Sequence, residues 1–175
     1  MLRLLLLRHA EAALGAGGGD VNRELTPAGD ESARRIGAFL TTTALFPELA
    51  LVSPARRATR TFELLCEGAG RAAPRVIAPA LYDASASTAL ALLQTVPSLV
   101  RRLLVVGHNP SLAETATTLA RFGADDDLTR LRSQFPAPAL AAIDIEADDW
   151  RGLGDVPGRL QFFLTLASKE LQGGL

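Results

Sequence analysis

The chain has 175 residues, the length of one globular domain with a substantial core, and we expect residues 1–175 to form a single domain. Its 18 Lys and Arg against 19 Asp and Glu give a net charge of −1, so no global field exists to hold a nucleic acid or an anionic membrane. No apolar run approaches the roughly 20 residues of a membrane span, and the single cysteine cannot pair within the chain, so we expect a cytoplasmic protein.

The first predicted strand covers residues 2–7 and ends abruptly at Arg8 and His9. Its consecutive leucines indicate a strand that is buried on both faces. An Arg–His pair directly after such a strand is well suited to hold an anion. Glu11 follows closely, and we expect its carboxylate either to hydrogen-bond within the same site or to stay in solvent.

A glycine-rich loop and the first predicted helix come next. Gly15 and residues 17–19 predict a flexible rim above the site rather than a phosphate-binding P-loop, because no lysine follows at the required spacing. Thr26 and Pro27 are a capping hydroxyl and a first-turn proline, so a helix is predicted to start there.

The second predicted strand, residues 49–52, runs into a serine and a proline that are expected to open a helix in the same way. The first turns of that helix carry several positive charges. Its free backbone N–H groups and its dipole favour a phosphate-sized anion. The pattern alone does not separate three arginines as ligands of that anion: Arg56, Arg57 and Arg60.

A short strand at residues 76–77 and a helix at 86–95 lead to a fourth apolar run, residues 102–106. This run ends at His108, the second of only two histidines in the chain, so both imidazoles follow a buried strand. Asn109 is expected to orient the His108 loop or to be an ordinary turn residue before proline. A further helix is predicted at residues 111–120.

The rest of the chain yields two strands, at residues 139–145 and 161–166, within a region that is otherwise hard to interpret between residues 125 and 158. Alternating strands and helices predict an α/β protein with a largely parallel sheet. In such sheets ligands bind outside the carboxyl ends of the strands. Three strands deliver polar residues to that edge, which predicts one cationic site.

Four blocks in this order resemble the histidine phosphatase superfamily of the phosphoglycerate mutase-like fold: residues 7–12 (LRHAEA), 25–29 (LTPAG), 52–61 (VSPARRATRT) and 105–110 (VVGHNP). Within that superfamily the chain is most similar to the short SixA-type phosphohistidine phosphatases. The resemblance implies a three-layer α/β sandwich, with helices on both faces of a mostly parallel central sheet.

The resemblance also implies the roles of individual residues. His9 would be the nucleophile that takes the phosphoryl group, with Arg8 and Arg57 binding its oxygens and His108 hydrogen-bonded to it. No cofactor is implied. Two histidines and one cysteine beside arginines are too few ligands for a metal site. Binding of the phosphate, or support of the site, is expected from three further residues: Ser53, Asn109 and Glu11.

A general acid for the leaving group is less well defined. Many longer family members carry a glutamate after the third strand, whereas the matching stretch here, residues 80–85, offers Asp83. Asp83 is therefore a candidate general acid, with a loop or helix-capping role as the alternative. The lack of a strong general acid suits phosphohistidine as the substrate, because imidazole departs more readily than an alkoxide.

We therefore expect a metal-independent phosphatase that releases inorganic phosphate from a phosphorylated protein, namely from phosphohistidine. The alternatives are a phosphatase for a small phosphate ester, a mutase, or an inactive phosphate-binding module. A mutase is disfavoured because the segment between Asp83 and Gly107 is short. An inactive module is disfavoured because the four residues expected to act on the phosphoryl group are all present: Arg8, His9, Arg57 and His108.

Overall fold

The computed structural model describes residues 1–15 and 18–172, so Gly17 of the predicted glycine rim lies outside the described residues. The strands are β1 Leu2–Arg8, β2 Leu49–Val52, β3 Arg75–Ile77, β4 Arg102–Gly107, β5 Ala120–Phe122, β6 Ala139–Ile145 and β7 Gly158–Thr165. The α-helices are α1 Pro27–Thr42, α2 Arg56–Ala69, α3 Ala86–Leu93, α4 Ser111–Leu119, α5 Asp125–Ser133 and α6 Lys169–Gln172. Short 3₁₀ turns cover Asp20–Asn22, Pro79–Leu81 and Trp150–Gly152.

The described strands form one sheet in the order β3-β2-β4-β1-β6-β7-β5. Strand β6 runs antiparallel to its two neighbours, and the other pairs are parallel. The mostly parallel sheet predicted from the sequence is therefore confirmed. In the register of this sheet Arg8 lies beside Gly107 and Val52 beside Val106, so the residues that follow β1, β2 and β4 emerge next to one another.

Helices cover both faces of the sheet, and β1 shows why. Leu2, Leu4 and Leu6 face one buried apolar cluster, which contains side chains of α3, α4 and α5. Leu5 and Leu7 point the other way, into a cluster with α1 and α2. Alternation along a strand that is apolar on both faces thus builds two cores, as the three-layer prediction requires. None of the described helices combines the length and the apolar character needed to cross a membrane.

A glycine fixes how the chain leaves β1 toward the site. A Cβ atom added to Gly29, in the first turn of α1, would lie 2.2 Å from the main-chain oxygen of Glu11. Only a residue without a side chain allows this approach. Thr26 caps the same turn, because its hydroxyl accepts the Gly29 N–H at 3.0 Å. The block at residues 25–29 therefore holds the segment after His9 against α1.

Three of the helix boundaries differ from the sequence prediction. Helix α2 begins at Arg56 rather than at Ser53. The residue before the helix, Ala55, offers no side-chain cap, and the Ser53 hydroxyl bonds His108. Helix α3 ends at Leu93, and α4 ends at Leu119 because the chain turns directly into β5.

Helix α5, within the stretch that the sequence pattern left unassigned, carried a signal of its own. Its first turn holds three aspartates, residues 125–127, and its last turn holds Arg130 and Arg132. This charge order complements the helix dipole and stabilises both ends.

Candidate active site

The two histidines meet at the carboxyl edge of the sheet. His9 follows β1 and His108 follows β4, and their ring centroids lie 5.1 Å apart. The two residues are only 8% and 9% exposed. Together with Arg8, Arg57 and Asn109 they line a cavity of about 320 Å³.

Hydrogen bonds fix the orientation of the His9 ring. Its Nδ1 lies 2.7 Å from the main-chain oxygen of Ala10. Because a carbonyl oxygen can only accept, Nδ1 carries the proton and Nε2 keeps its lone pair. The Arg57 Nε–H donates to that Nε2 at 3.2 Å. The atom of His9 that is available for nucleophilic attack is therefore Nε2.

The His108 ring is fixed by Ser53. The serine side chain is fully buried, and its Oγ lies 2.7 Å from Nε2 of His108. The other ring nitrogen, Nδ1, lies 3.4 Å from a terminal nitrogen of Arg57, which can only donate. Nε2 therefore carries the proton and donates it to Ser53, while Nδ1 faces Arg57. Ser53, predicted to open a helix and to bind the phosphate or support the site, does not cap α2 but orients this imidazole.

Of the three arginines that the pattern left unresolved, the structure brings Arg57 to the imidazoles. Arg57 lies in the first turn of α2 and is only 6% exposed. Arg56 is exposed and forms an ion pair with Glu24. Arg60 pairs with carboxylates along the helix surface, including Glu67.

Thr61 explains the spacing of the block at residues 52–61. Its hydroxyl is fully buried, accepts the Ala10 N–H at 3.0 Å and donates to the Arg57 carbonyl at 2.6 Å. A hydroxyl four residues after Arg57 can reach that carbonyl within the helix. Thr61 thus ties the end of β1, and with it His9, to the turn that carries Arg57.

Arg8 and Asn109 are anchored at one point. Each side chain donates a hydrogen bond of 2.8 Å to the main-chain oxygen of Phe135, which follows α5. Among the described residues the buried Arg8 Nε has no hydrogen-bond partner. Arg8 is therefore held in place through one terminal nitrogen of its guanidinium, and its Nε–H remains able to donate a hydrogen bond to an anion. The contact to Phe135 also holds the loop that follows His108, consistent with the predicted role of Asn109.

Burial and positive neighbours keep both imidazoles neutral. Burial, followed by His108, Arg57 and Arg8, lowers the pKa of His9 from 6.5 to about 4. Burial, followed by Arg57 and Arg8, lowers the pKa of His108 to about 4 as well. At pH 7 the Nε2 lone pair of His9 is therefore available.

These shifts predict how the site responds to acid. Because the chain has only two histidines, an NMR titration in phosphate-free buffer should show two imidazoles, both with a pKa near 4. We expect kcat/KM to persist well below pH 6 and to fall only as His9 protonates. Stability should decline between about 6.5 and about 4, because the unfolded chain binds protons there that the folded site excludes. An ordinary pKa near 6.5 for either ring would contradict this electrostatic description.

A carboxylate that sequence reasoning missed lies beside Arg57. Asp20 Oδ2 accepts hydrogen bonds of 2.9 Å from Arg57 and from the Tyr82 hydroxyl, and Oδ1 accepts one of 3.2 Å from Arg23. The Tyr82 bond, followed by those of Arg57 and Arg23, lowers the pKa of Asp20 to about 2. The only sequence signal was an Asp–Arg pair three residues apart after the glycines.

Asp83, the predicted candidate general acid, does not line the cavity. The 3₁₀ turn before it buries Leu81 and sets the Tyr82 ring edge-on to His108, with the centroids 5.7 Å apart. The chain then turns at Asp83, whose φ is 52°, and the side chain is exposed. Ser85, not Asp83, caps α3, so of the two alternatives to the acid role the loop position is the one observed.

Glu11 lies on the rim of the cavity with its side chain exposed. Its main-chain oxygen accepts the Thr26 N–H at 2.9 Å. The main chain of Glu11 therefore forms part of the wall of the site, and it packs there against Gly29.

Comparisons with known proteins show which family the chain is similar to. The model of the histidine phosphatase superfamily (branch 1) matches residues 4–89. An uncharacterized protein of Mycobacterium tuberculosis is 32% identical over 146 residues, which cover 82% of this chain and 89% of that protein.

Solved structures are similar over nearly the whole chain. A protein of Agrobacterium tumefaciens assigned as the phosphohistidine phosphatase SixA is 31% identical, with a TM-score of 0.76 over 94% of this chain and 97% of that one. A protein of Nakamurella multipartitia that is also assigned as SixA is 26% identical, with a TM-score of 0.83 over 95% of this chain and 97% of that one. A mycobacterial glucosyl-3-phosphoglycerate phosphatase shares the fold at 16% identity, with a TM-score of 0.61 over 93% and 98%.

Proposed function

Because the chain belongs to branch 1 of the histidine phosphatase superfamily, we propose that it hydrolyses protein phosphohistidine through a phosphohistidine intermediate on its own His9. The observation that carries the proposal is the arrangement around the His9 ring. Its Nδ1 proton is committed to Ala10, and its Nε2 lone pair faces the Arg57 guanidinium.

In the first step Nε2 of His9 attacks the phosphorus atom of the substrate. A P–N bond to His9 forms as the bond to the leaving group breaks, and the electron pair of the broken bond stays with the leaving group. Arg57 is in hydrogen-bond contact with Nε2, and Arg8 lines the same cavity, so both guanidinium groups can bind the phosphoryl oxygens.

In the second step the oxygen atom of water attacks the phosphorus of phospho-His9, the P–N bond breaks with its electron pair returning to Nε2, and the proton that water loses leaves with inorganic phosphate. A phosphoryl dianion next to His108 raises the pKa of that imidazole, so Nδ1 can take up a proton and donate it to a phosphoryl oxygen. Ser53 keeps Nε2 as the other donor and so holds Nδ1 toward the phosphoryl group.

Positive charge in the proposed mechanism comes from the chain itself. Phosphoryl transfer passes through a loose transition state, and its catalysis consists mainly of positioning and charge stabilisation. Arg8 and Arg57 provide that charge in a buried site where electrostatic interactions are strong. The proposed steps therefore require no metal ion and no cofactor.

The acid–base properties of the site favour phosphohistidine over a phosphate ester. An alkoxide needs a proton as it departs. Asp20 is ionised at neutral pH because its pKa is about 2, and Asp83 lies outside the cavity. Imidazole departs with less help. The similarity to SixA-type proteins at 31% and 26% identity supports the same substrate class.

A substrate panel tests this proposal. We expect kcat/KM for a phosphohistidine-bearing carrier protein to exceed that for a phosphoserine peptide or glycerol phosphate by at least about 100-fold, which corresponds to about 3 kcal/mol of transition-state discrimination. A preference for the alkyl phosphates would show that the enzyme is a small-ester phosphatase.

A further inference from the structure

A second cavity adjoins the one that contains the imidazoles. It measures about 420 Å³ and is lined by Leu14, Gly15, Gly19, Asp20 and Arg23. Arg23 also lines the imidazole cavity, so the two share a wall. A substrate whose phosphoryl group lies against His9 therefore has adjoining space for the group that carries the phosphate.

Asp20 lines the second cavity and is hydrogen-bonded to Arg57, which lines the first. The Arg57 guanidinium donates to His9 from Nε, at 3.2 Å, and to Asp20 from its terminal nitrogens, at 2.6 Å to the main-chain oxygen and 2.9 Å to Oδ2. The carboxylate thus lies at the end of the guanidinium away from the nucleophile. In-line transfer expels the leaving group on the side of phosphorus away from Nε2, so a group that departs from His9 can come within reach of this carboxylate.

The Asp20 carboxylate also has acceptor capacity left. An ionised carboxylate offers about four acceptor positions, and within the described residues Arg57, Tyr82 and Arg23 donate to three of them. The side chain is 51% exposed, so a ligand can reach it. Three donors hold the carboxylate in place and leave it an acceptor position for a ligand.

We propose that Asp20 forms a leaving-group subsite, in which its carboxylate accepts the ring N–H of the departing imidazole of a phosphohistidine substrate. This inference rests on the proposed function and assigns a specificity role within it.

The chemistry of phosphoimidazole gives this contact its value. If the ring nitrogen that does not bear phosphorus is unprotonated, the ring must leave as an anion. If solvent has protonated that nitrogen first, the ring leaves as neutral imidazole. A carboxylate next to the N–H favours the protonated form.

The balance of the step is simple. The P–N bond of the substrate breaks, its electron pair stays on the ring nitrogen, and the new bond forms at Nε2 of His9. The proton on the far ring nitrogen stays there, hydrogen-bonded to Asp20. No proton is transferred during the step, so no general acid is needed.

A phosphate ester gains nothing from this subsite. Its leaving oxygen carries no N–H, and the ionised carboxylate has no proton to give. The negative charge of Asp20 instead repels any further negative charge on the leaving group. Asp20 should therefore separate phosphoramidates from phosphate esters.

The test compares two small substrates in Asp20→Asn. Phosphoimidazole carries the ring N–H, whereas p-nitrophenyl phosphate has a leaving group that departs without a proton and offers no N–H. We expect the ratio of kcat/KM for phosphoimidazole to that for p-nitrophenyl phosphate to fall at least tenfold. Asp155→Asn is the matched control, since this exposed carboxylate precedes β7 at the opposite edge of the sheet, and the ratio should stay at the wild-type value.

A conservative variant separates charge from fold. Asp20→Glu restores a carboxylate and should recover part of the lost ratio, and thermal unfolding of each variant shows whether it folds. An equal fall for both substrates in Asp20→Asn would overturn the inference, because Asp20 would then act only by holding Arg57. In that case turnover of phosphoimidazole by the wild-type chain would still uphold the proposed function. A wild-type chain that cleaves only the aryl phosphate would overturn both.

Discussion

Replacing His9 with alanine is expected to lower kcat for phosphohistidine hydrolysis by at least about 1,000-fold, because the variant lacks the nitrogen that attacks phosphorus. In the native site Nε2 is the nitrogen with the available lone pair, since Nδ1 donates to Ala10 at 2.7 Å. The neighbouring ring of His108 is held in its own place by the hydrogen bond of its Nε2 to Ser53, so it cannot move into the position that His9 occupies.

The control for this prediction is anion binding. His9→Ala keeps Arg8, Arg57 and His108, so we expect it to bind inorganic phosphate with an affinity near that of the wild-type protein. Retained binding with lost turnover would locate the defect in the chemical step. A variant that hydrolyses phosphohistidine at the full rate would contradict covalent catalysis by His9.

Replacing Arg57 with alanine is the second large effect, and we expect kcat/KM to fall by about 100-fold to 1,000-fold. Arg57 contacts Nε2 of His9 and Nδ1 of His108. Its positive charge therefore lies next to the phosphoryl group that is transferred to His9. Its removal also raises the pKa of both imidazoles toward the ordinary value, since Arg57 is one cause of their low values.

Arg56→Ala is the matched control for Arg57→Ala. The two residues are adjacent in the first turn of α2, but Arg56 is exposed and pairs with Glu24 at the surface. We expect kcat/KM of Arg56→Ala to stay within about threefold of wild type, since exposed ion pairs contribute about 1 kcal/mol or less. If Arg56→Ala were the more damaging change, Arg57 would not be the phosphate ligand.

Much of the sheet was predictable because buried parallel strands are continuous apolar runs. Strands β2 and β6 occupy the residues that the sequence pattern indicated, and β1 and β4 extend one residue further. Since parallel strands share their carboxyl edge, the meeting of His9 and His108 followed from the same pattern.

The contacts within the site depend on pairings that no local pattern contains. Ser53 and His108 are 55 residues apart in the chain, and Asp20 and Tyr82 are 62 apart. The isolated pattern favoured a helix cap at Ser53 because Ser-Pro commonly opens helices, but the buried hydroxyl is used by His108. Asp20 follows glycines in a loop without periodicity, so nothing marked it as a partner of Arg57.

The choice of Arg57 came from the family resemblance rather than from periodicity. A helix places successive residues about 100° apart around its axis, so the predicted start at Ser53 gave no secure basis for choosing among Arg56, Arg57 and Arg60. The observed start at Arg56, with Thr61 bonded to the Arg57 carbonyl, determines which of them faces the imidazoles.

The central claim is tested most directly by trapping the phosphoenzyme. The wild-type chain is mixed with a radiolabelled phosphohistidine protein and quenched in alkali, and the label is mapped by mass spectrometry and by phosphorus NMR. We expect an acid-labile, base-stable phosphoryl group on Nε2 of His9, formed and consumed at rates that match turnover. A phosphoryl group on another residue, or turnover without any phosphoenzyme at His9, would contradict the proposed mechanism.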